Sequence, residues 1–232
     1  ESLPEFLADS LTRERWYWRW DTPEKYQRNV RAYYRMISGI DRVVGKVLAE
    51  SERLGFANNT VVIFTGDNGY FLGSRGFAGK WLHYDESLRV PLVIYDPRVA
   101  EGKRGRVVAQ QALNVDLSAT ILDLAGIAPP TSCKGRSLTP LVRGDVVEEW
   151  RGDFFAEHRF DHPKIPKWEG VRGQRYVYAR YFDHLPEGEF LHDLEQDPLQ
   201  LVNLAHDSKH AALLAKMRSR CDALRADVGP TD

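Results

Sequence analysis

Between Gly66 and Pro91 the sequence gathers residue types that could hold a metal ion and an oxyanion. The stretch runs Gly66-Asp67-Asn68-Gly69-Tyr70-Phe71-Leu72-Gly73, then Gly79-Lys80-Trp81, then Tyr84-Asp85-Glu86-Ser87-Leu88-Arg89-Val90-Pro91. Asp67 and Asn68 offer a carboxylate and an amide oxygen side by side, both hard ligands suited to calcium or magnesium. The glycines let the backbone come close to an ion, and Lys80 can act as a point cation for an oxyanion. Asp-Asn-Gly is also ordinary turn chemistry, and the residues alone leave both readings open. Two other readings fail on the letters. A phosphate-binding P-loop needs Gly six positions before its Lys and Ser or Thr after it, where this chain has Ser74 and Trp81. A zinc site needs His and Cys at close spacing, but the seven His are scattered and Cys133 and Cys221 lie far apart.

The elements that must position these groups follow from apolar spacing. Thr22-Pro23-Glu24 reads as a helix start. Tyr26, Val30, Tyr33, Ile37, Ile40, Val44, Val47 and Leu48 then recur at helical spacing until Gly55, which predicts an amphipathic helix of about 30 residues. Thr60–Thr65 is a β-branched and apolar run without alternation, which predicts a strand covered on both faces, as in a parallel sheet. Arg89–Tyr95 reads as a second strand and Asn114–Gly126 as another helix. A polar cluster just past a buried strand is where open α/β sheets place ligands, and the alternation of elements predicts an α/β fold. Composition shifts near Arg143-Gly144-Asp145, dividing 1–145 from 146–232. Beyond that boundary, Asp153–Ala156, Tyr176–Tyr181 and Glu189–Asp193 predict a small antiparallel sheet. A helix over about Ser208–Asp227 follows, with Leu213, Leu214, Met217, Cys221 and Leu224 turned inward.

Composition narrows the function classes. A charged fraction of 28% and a hydrophobic fraction of 43% are globular values, and a net charge of −1 gives no reason to expect nucleic acid. No apolar run approaches the roughly 18 residues a membrane span needs. The opening Glu1-Ser2-Leu3-Pro4-Glu5 does not read as a natural start, so no compartment follows from it.

Three stretches together resemble the sulfatase family: Tyr33-Tyr34-Arg35-Met36-Ile37-Ser38-Gly39-Ile40-Asp41, Asn59 through Gly69, and Lys80 through Pro91. The tail resembles that family's small carboxy-terminal subdomain at Trp168-Glu169-Gly170-Val171-Arg172, at Leu191-His192-Asp193-Leu194-Glu195-Gln196-Asp197-Pro198 and at Asn203-Leu204, with Gly135-Arg136-Ser137-Leu138 as the link. The resemblance implies an alkaline-phosphatase-like α/β sandwich followed by that small antiparallel sheet with a helix. It also implies one calcium ion and a formylglycine nucleophile made within a Cys/Ser-x-Pro-x-Arg motif. Asp67 and Asn68 match the later pair of calcium ligands, and Lys80 matches the lysine that holds the sulfate and steadies charge on the leaving oxygen. His158 and His83 are further substrate contacts on this reading, and Arg89 is expected to pair structurally with Asp85 or Glu86.

The motif itself is missing. Cys133 is followed by Lys134-Gly135-Arg136, Cys221 by Asp222-Ala223-Leu224, and Ser2-Leu3-Pro4 by Glu5-Phe6. The chain is therefore expected to be the carboxy-terminal part of a sulfatase, 1–145 belonging to the catalytic domain and 146–232 to the subdomain. On that expectation it is inactive alone, its calcium site is incomplete, and its partner is the remainder of the same catalytic domain. The implied substrates are sulfated carbohydrate or aryl sulfate, and the family implies a secreted, periplasmic or lysosomal location. The rival functions are a phosphate or phosphonate ester hydrolase of the same superfamily and a non-catalytic domain that binds sulfated glycans.

Overall fold

The structure, a computed structural model, describes residues 3–229; Ser2 of the Ser2-Leu3-Pro4 run lies outside them. In chain order the first elements are α1 (Glu5–Ala8), α2 (Leu11–Arg19), α3 (Pro23–Arg53), β1 (Val62–Thr65), β2 (Phe71–Leu72), β3 (Ala78–Gly79), α4 (Asp85–Leu88) and β4 (Leu92–Tyr95). They are followed by α5 (Asp116–Leu124), α6 (Thr139–Arg143), β5 (Asp153–His158), β6 (Trp168–Gly173), β7 (Tyr176–Tyr181), β8 (Glu189–Asp193) and α7 (Ala211–Val228). These elements fall into two compact units. One comprises the described residues of Glu1–Ala32 with Asn68–Arg89 and Gly152–Asp232; the other comprises Tyr33–Asp67 and Val90–Arg151.

In the first unit β5 to β8 form an antiparallel meander in sequence order, as the aromatic runs predict, and β6 joins it between two of the expected strands. Alternation along the strands gives the sheet two apolar faces. Val171, Tyr178 and Leu191 point to one side and pack with Leu214, Met217 and Cys221 of α7, the inward residues expected of that helix. Trp168, Ala179, Tyr181 and Phe190 point to the other side and pack with Phe71, Phe77, Leu82 and Tyr84. The segment carrying Lys80 is thus laid against a rigid sheet. Burying a side chain of this size is worth roughly 1.5–3 kcal/mol. Cys133 and Cys221 are both free thiols, and burial pushes the Cys221 thiol up to about 12.

In the second unit the expected strands form, but they pair antiparallel, with Val62 opposite Tyr95 and Thr65 opposite Leu92. The expected parallel arrangement is corrected here, and so is cover on both faces of the Thr60–Thr65 run, since its Phe64 is 37% exposed. An unbroken apolar run records that both faces favour cover and is silent on strand direction, which the chain reversal between Thr65 and Leu92 sets. Helix α3, which belongs to this unit from Tyr33 onward, forms over 31 residues as its spacing predicts, and none of them is buried; Ile40 is 48% exposed. Helix α5 occupies the middle of the expected Asn114–Gly126 helix. Its Asp116 accepts the backbone N–H groups of Leu113 and Arg136 at 2.8 Å each and is bridged by Arg151.

Candidate active site

Strand β1 ends at Thr65, and the two residues after Gly66 are the candidate metal ligands. In the second unit Asn114, just before α5, donates from Nδ2 to the carbonyls of Gly66 at 3.2 Å and Asp67 at 2.9 Å, which fixes the backbone at the strand end. In the first unit Gly69 follows Asn68 and donates its N–H to the Ser87 carbonyl at 2.9 Å. A Cβ at Gly69 would lie 2.2 Å from the Glu86 carbonyl oxygen, so only glycine permits this approach.

Lys80 lies on the same side of the first unit's sheet. Its Nζ donates to Asn68 Oδ1 at 2.5 Å, while Asn68 Nδ2 donates to the Gly69 carbonyl at 2.8 Å. Its backbone is held on both sides. Thr12 Oγ1 of α2 donates to the Lys80 carbonyl at 3.2 Å, Ser87 Oγ accepts the Trp81 N–H at 3.0 Å, and the Trp168 indole donates to the Trp81 carbonyl at 2.6 Å. These bonds hold Trp81 at a φ of 87°, a left-handed conformation that a bulky side chain seldom adopts. The strain falls on the residue next to the candidate cation.

Trp168 also brings His158 to this place, because the β5–β6 register sets His158 opposite Trp168. The ring is half-buried, and its Nδ1 is buried without a hydrogen-bond partner. Burial, and then the positive charge of Lys80, hold its pKa below the ordinary histidine value. A neutral imidazole beside a fixed ammonium can bind an oxyanion as a donor and leave the charge to Lys80.

His83 lies elsewhere. It is 1% exposed, with Nδ1 2.8 Å from Tyr181 Oη and Nε2 3.1 Å from His192 Nε2, while His192 Nδ1 lies 2.8 Å from the Val202 carbonyl. A carbonyl only accepts, so His192 carries its proton on Nδ1. With both rings neutral, His83 donates from Nε2 and accepts the Tyr181 hydroxyl at Nδ1. Both ring nitrogens are used inside the core, which corrects the expectation of a direct substrate contact. Burial first, then His192 and Arg75, hold His83 well below the ordinary histidine value. The neutral form belongs to the fold, so its stability is complete above about pH 6.5 and is lost as pH falls below it. His83→Gln can accept from Tyr181 and donate to His192 but cannot take up a proton. It is expected to lower Tm at pH 7 yet to lose less on going to pH 5 than the native chain, by at least ~2 °C in a calorimetric scan. Equal acid losses in the two proteins would sink the assignment.

The structure therefore brings Asn68, Lys80 and His158 together in the first unit, while Asp67 precedes Asn68 in the chain and belongs to the second. Arg89 does not pair as expected. Asp85 is bridged by Arg172 at 2.9 Å and Glu86 by Arg75 at 3.2 Å, and Arg89 is exposed. Distant arginines take both acids, Arg172 of β6 reaching Asp85 and Arg75, between β2 and β3, reaching Glu86. Helix α2, which grips Lys80 through Thr12, had no spacing signal strong enough to announce it. Asp67 and Asn68 supply hard oxygen donors of the kind calcium takes, but two residues fall short of the roughly 6–8 oxygens it needs. Among the described residues no three His, Cys, Asp or Glu side chains converge.

Two family models match. One described as "Sulfatase" covers residues 10–127, and one described as "N-sulphoglucosamine sulphohydrolase, C-terminal" covers residues 73–227. An N-acetylglucosamine-6-O-sulfatase of Bacteroides thetaiotaomicron is 30% identical over 192 residues, covering 81% of this chain and 34% of that protein. A solved structure of a protein bound to its substrate D-glucosamine-2-N,6-O-disulfate superposes with a TM-score of 0.82 at 25% identity, over 90% of this chain and 42% of that one. A phosphonate monoester hydrolase of Agrobacterium radiobacter superposes with a TM-score of 0.79 at 29% identity, over 89% of this chain and 43% of that one. The chain spans well under half the length of each of these proteins.

Proposed function

We propose that this chain, which belongs to the sulfatase family, forms the carboxy-terminal part of a calcium-dependent hydrolase of sulfate esters on carbohydrate. The observation that carries the reading is the Lys80 ammonium, held 2.5 Å from Asn68 Oδ1 beside the half-buried His158. Sulfate-ester cleavage builds negative charge on the bridging oxygen, and a preorganised cation relieves it. Lys80 has that role here, and His158 orients the sulfate as a neutral donor. Metal binding is general in the family, and we assign the ion as calcium held by Asp67 and Asn68. When bound, such an ion supplies a Lewis acid that draws charge from the sulfate oxygens. The 232 residues contain no Cys/Ser-x-Pro-x-Arg motif, so the attacking formylglycine belongs to the remainder of the catalytic domain on this reading. We keep 1–145 as catalytic domain and 146–232 as subdomain. The open apolar faces of α3 and β4 are surfaces that the remainder of the domain would cover. No helix among the described residues is long and apolar enough to cross a membrane, and we assign a secreted, periplasmic or lysosomal location on family grounds.

The named relatives favour a sulfated hexosamine as substrate. The likeness to a phosphonate monoester hydrolase supports a second reading, and one experiment separates the two. The chain joined to a nucleophile-bearing segment is expected to hydrolyse glucosamine 6-sulfate faster than a phosphonate monoester, and the 232 residues alone neither. Faster phosphonate cleavage would hand the site to the second reading. In the joined protein Asp67→Ala is expected to weaken calcium binding by more than the roughly 10–100-fold lost with an outer-shell partner. Unchanged affinity by calorimetry would remove Asp67 from the ligand set.

A further inference from the structure

Among the described residues, an arginine whose Nε has no hydrogen-bond partner packs against the two residues that flank Lys80. Helix α2 carries Arg13, Arg15 and Arg19. Arg13 donates to the Gly76 carbonyl at 3.0 Å, and Arg19 donates to the Tyr70 hydroxyl at 2.6 Å. Arg15 differs. Its guanidinium carbon lies 4.6 Å from the centroid of the Trp81 ring, and its Nε is buried without a hydrogen-bond partner. Arginine stays charged and carries five N–H donors; with Nε turned into the fold, the donors left for a bound anion are those of the two terminal nitrogens.

The placement is specific. A Cβ added at Gly79 would lie 3.7 Å from Arg15 Nη1 and 3.8 Å from its Cδ, so the side chain runs along the bare backbone of Gly79 and reaches Trp81. Those two residues flank Lys80. Thr12, three residues before Arg15 on α2, donates to the Lys80 carbonyl at 3.2 Å. One helix therefore fixes the backbone of Lys80 and sets a second cation over both of its neighbours. Stacking on Trp81 orients the guanidinium plane without using any of its N–H groups.

We propose that Arg15 and Lys80 form a two-cation site for a substrate bearing two anionic groups. Resting on the reading of Lys80 given above, Lys80 takes the sulfate to be cleaved and Arg15 takes a second sulfate or a carboxylate. Arg15 is thus a specificity-determining residue that selects multiply charged sugars over singly charged ones.

Equilibrium binding measured by calorimetry on the protein tests this with three probes: glucosamine 6-sulfate, glucosamine 2-N,6-O-disulfate, and a 6-sulfated disaccharide containing a uronic acid. The native protein is expected to favour at least one of the two doubly charged probes over the singly charged one. The favoured probe identifies the second group as sulfate or carboxylate. Arg15→Met, which keeps the stem on Trp81 but not the charge, is expected to weaken that probe by about 10–100-fold, the worth of a charged hydrogen bond, and the singly charged probe by less than twofold. Arg15→Lys is expected to recover part of the loss. A native protein with no preference, or an Arg15→Met protein that keeps it, overturns the proposal. A fall in Tm with the preference intact assigns Arg15 to packing and overturns it too. Lys80→Ala tests the underlying reading separately, because its loss must weaken all three probes alike.

Discussion

Lys80→Ala is expected to lower kcat about 10²–10³-fold in the chain joined to its nucleophile-bearing segment, the usual cost of removing one preorganised charge-stabilising group. The expectation follows from how Lys80 is held. Its ammonium is already 2.5 Å from Asn68 Oδ1, and the peptide groups on both sides of Trp81 are bonded to Thr12, Ser87 and Trp168. A cation fixed in this way needs little reorganisation as charge grows on the leaving oxygen, so its effect falls on kcat more than on KM. Folding should be nearly untouched, because the bonds that fix this segment are made by backbone and not by the ammonium. Lys80→Arg keeps the charge but not the compact point donor, and is expected to recover only part of the rate. An unchanged kcat, or a loss matched by a fall in Tm, would make Lys80 a structural cation.

How far the sequence could reach is clearest at this site. Asp67, Asn68 and Lys80 sit within one stretch whose glycines and following strand have a recognisable order, and the structure sets Lys80 against Asn68. The meander and α7 were legible because alternation and helical spacing mark the buried faces directly. His83 was not. Three positions past Lys80, it invites assignment to the same pocket, but the partner that claims it is His192, 109 residues away. Nothing local in the sequence encodes that contact. Arg89 misled for the same reason, since charge near in sequence was taken as charge near in space, while Arg75 and Arg172 arrive from other elements. The direction of β1 against β4 was hidden because hydrophobic runs specify burial and not polarity. Trp168 shows the converse case. It stood out as a family match, yet its physical role, an indole joining the strand of His158 to the loop of Lys80, emerges only from the register.

The second large effect concerns stability and the two charges of the second unit. Asp116 is 0% exposed, Arg151 has a side chain 9% exposed, and Arg151 Nη2 donates to Asp116 Oδ1 at 2.7 Å while Nη1 donates to Oδ2. Arg151 Nη1 also donates to the Gln111 carbonyl at 3.1 Å, so the arginine joins α5 to the segment before it. Arg151→Ala strands a buried carboxylate and is expected to cost about 3–5 kcal/mol, a fall in Tm of roughly 6–20 °C for a chain of this size. Asp116→Ala should cost more, because the N–H groups of Leu113 and Arg136 lose their acceptor along with the guanidinium. The double variant then gives the decisive comparison. Were the pair a simple buried ion pair, removing both charges would relieve most of the penalty of removing one. Here the two backbone donors stay stranded whatever happens at Arg151, so the double variant is expected to lie near Asp116→Ala and well below Arg151→Ala. Denaturant titration of the four proteins checks it. A double variant as stable as Arg151→Ala or better would show that the backbone donors find water, and that the carboxylate serves the arginine alone.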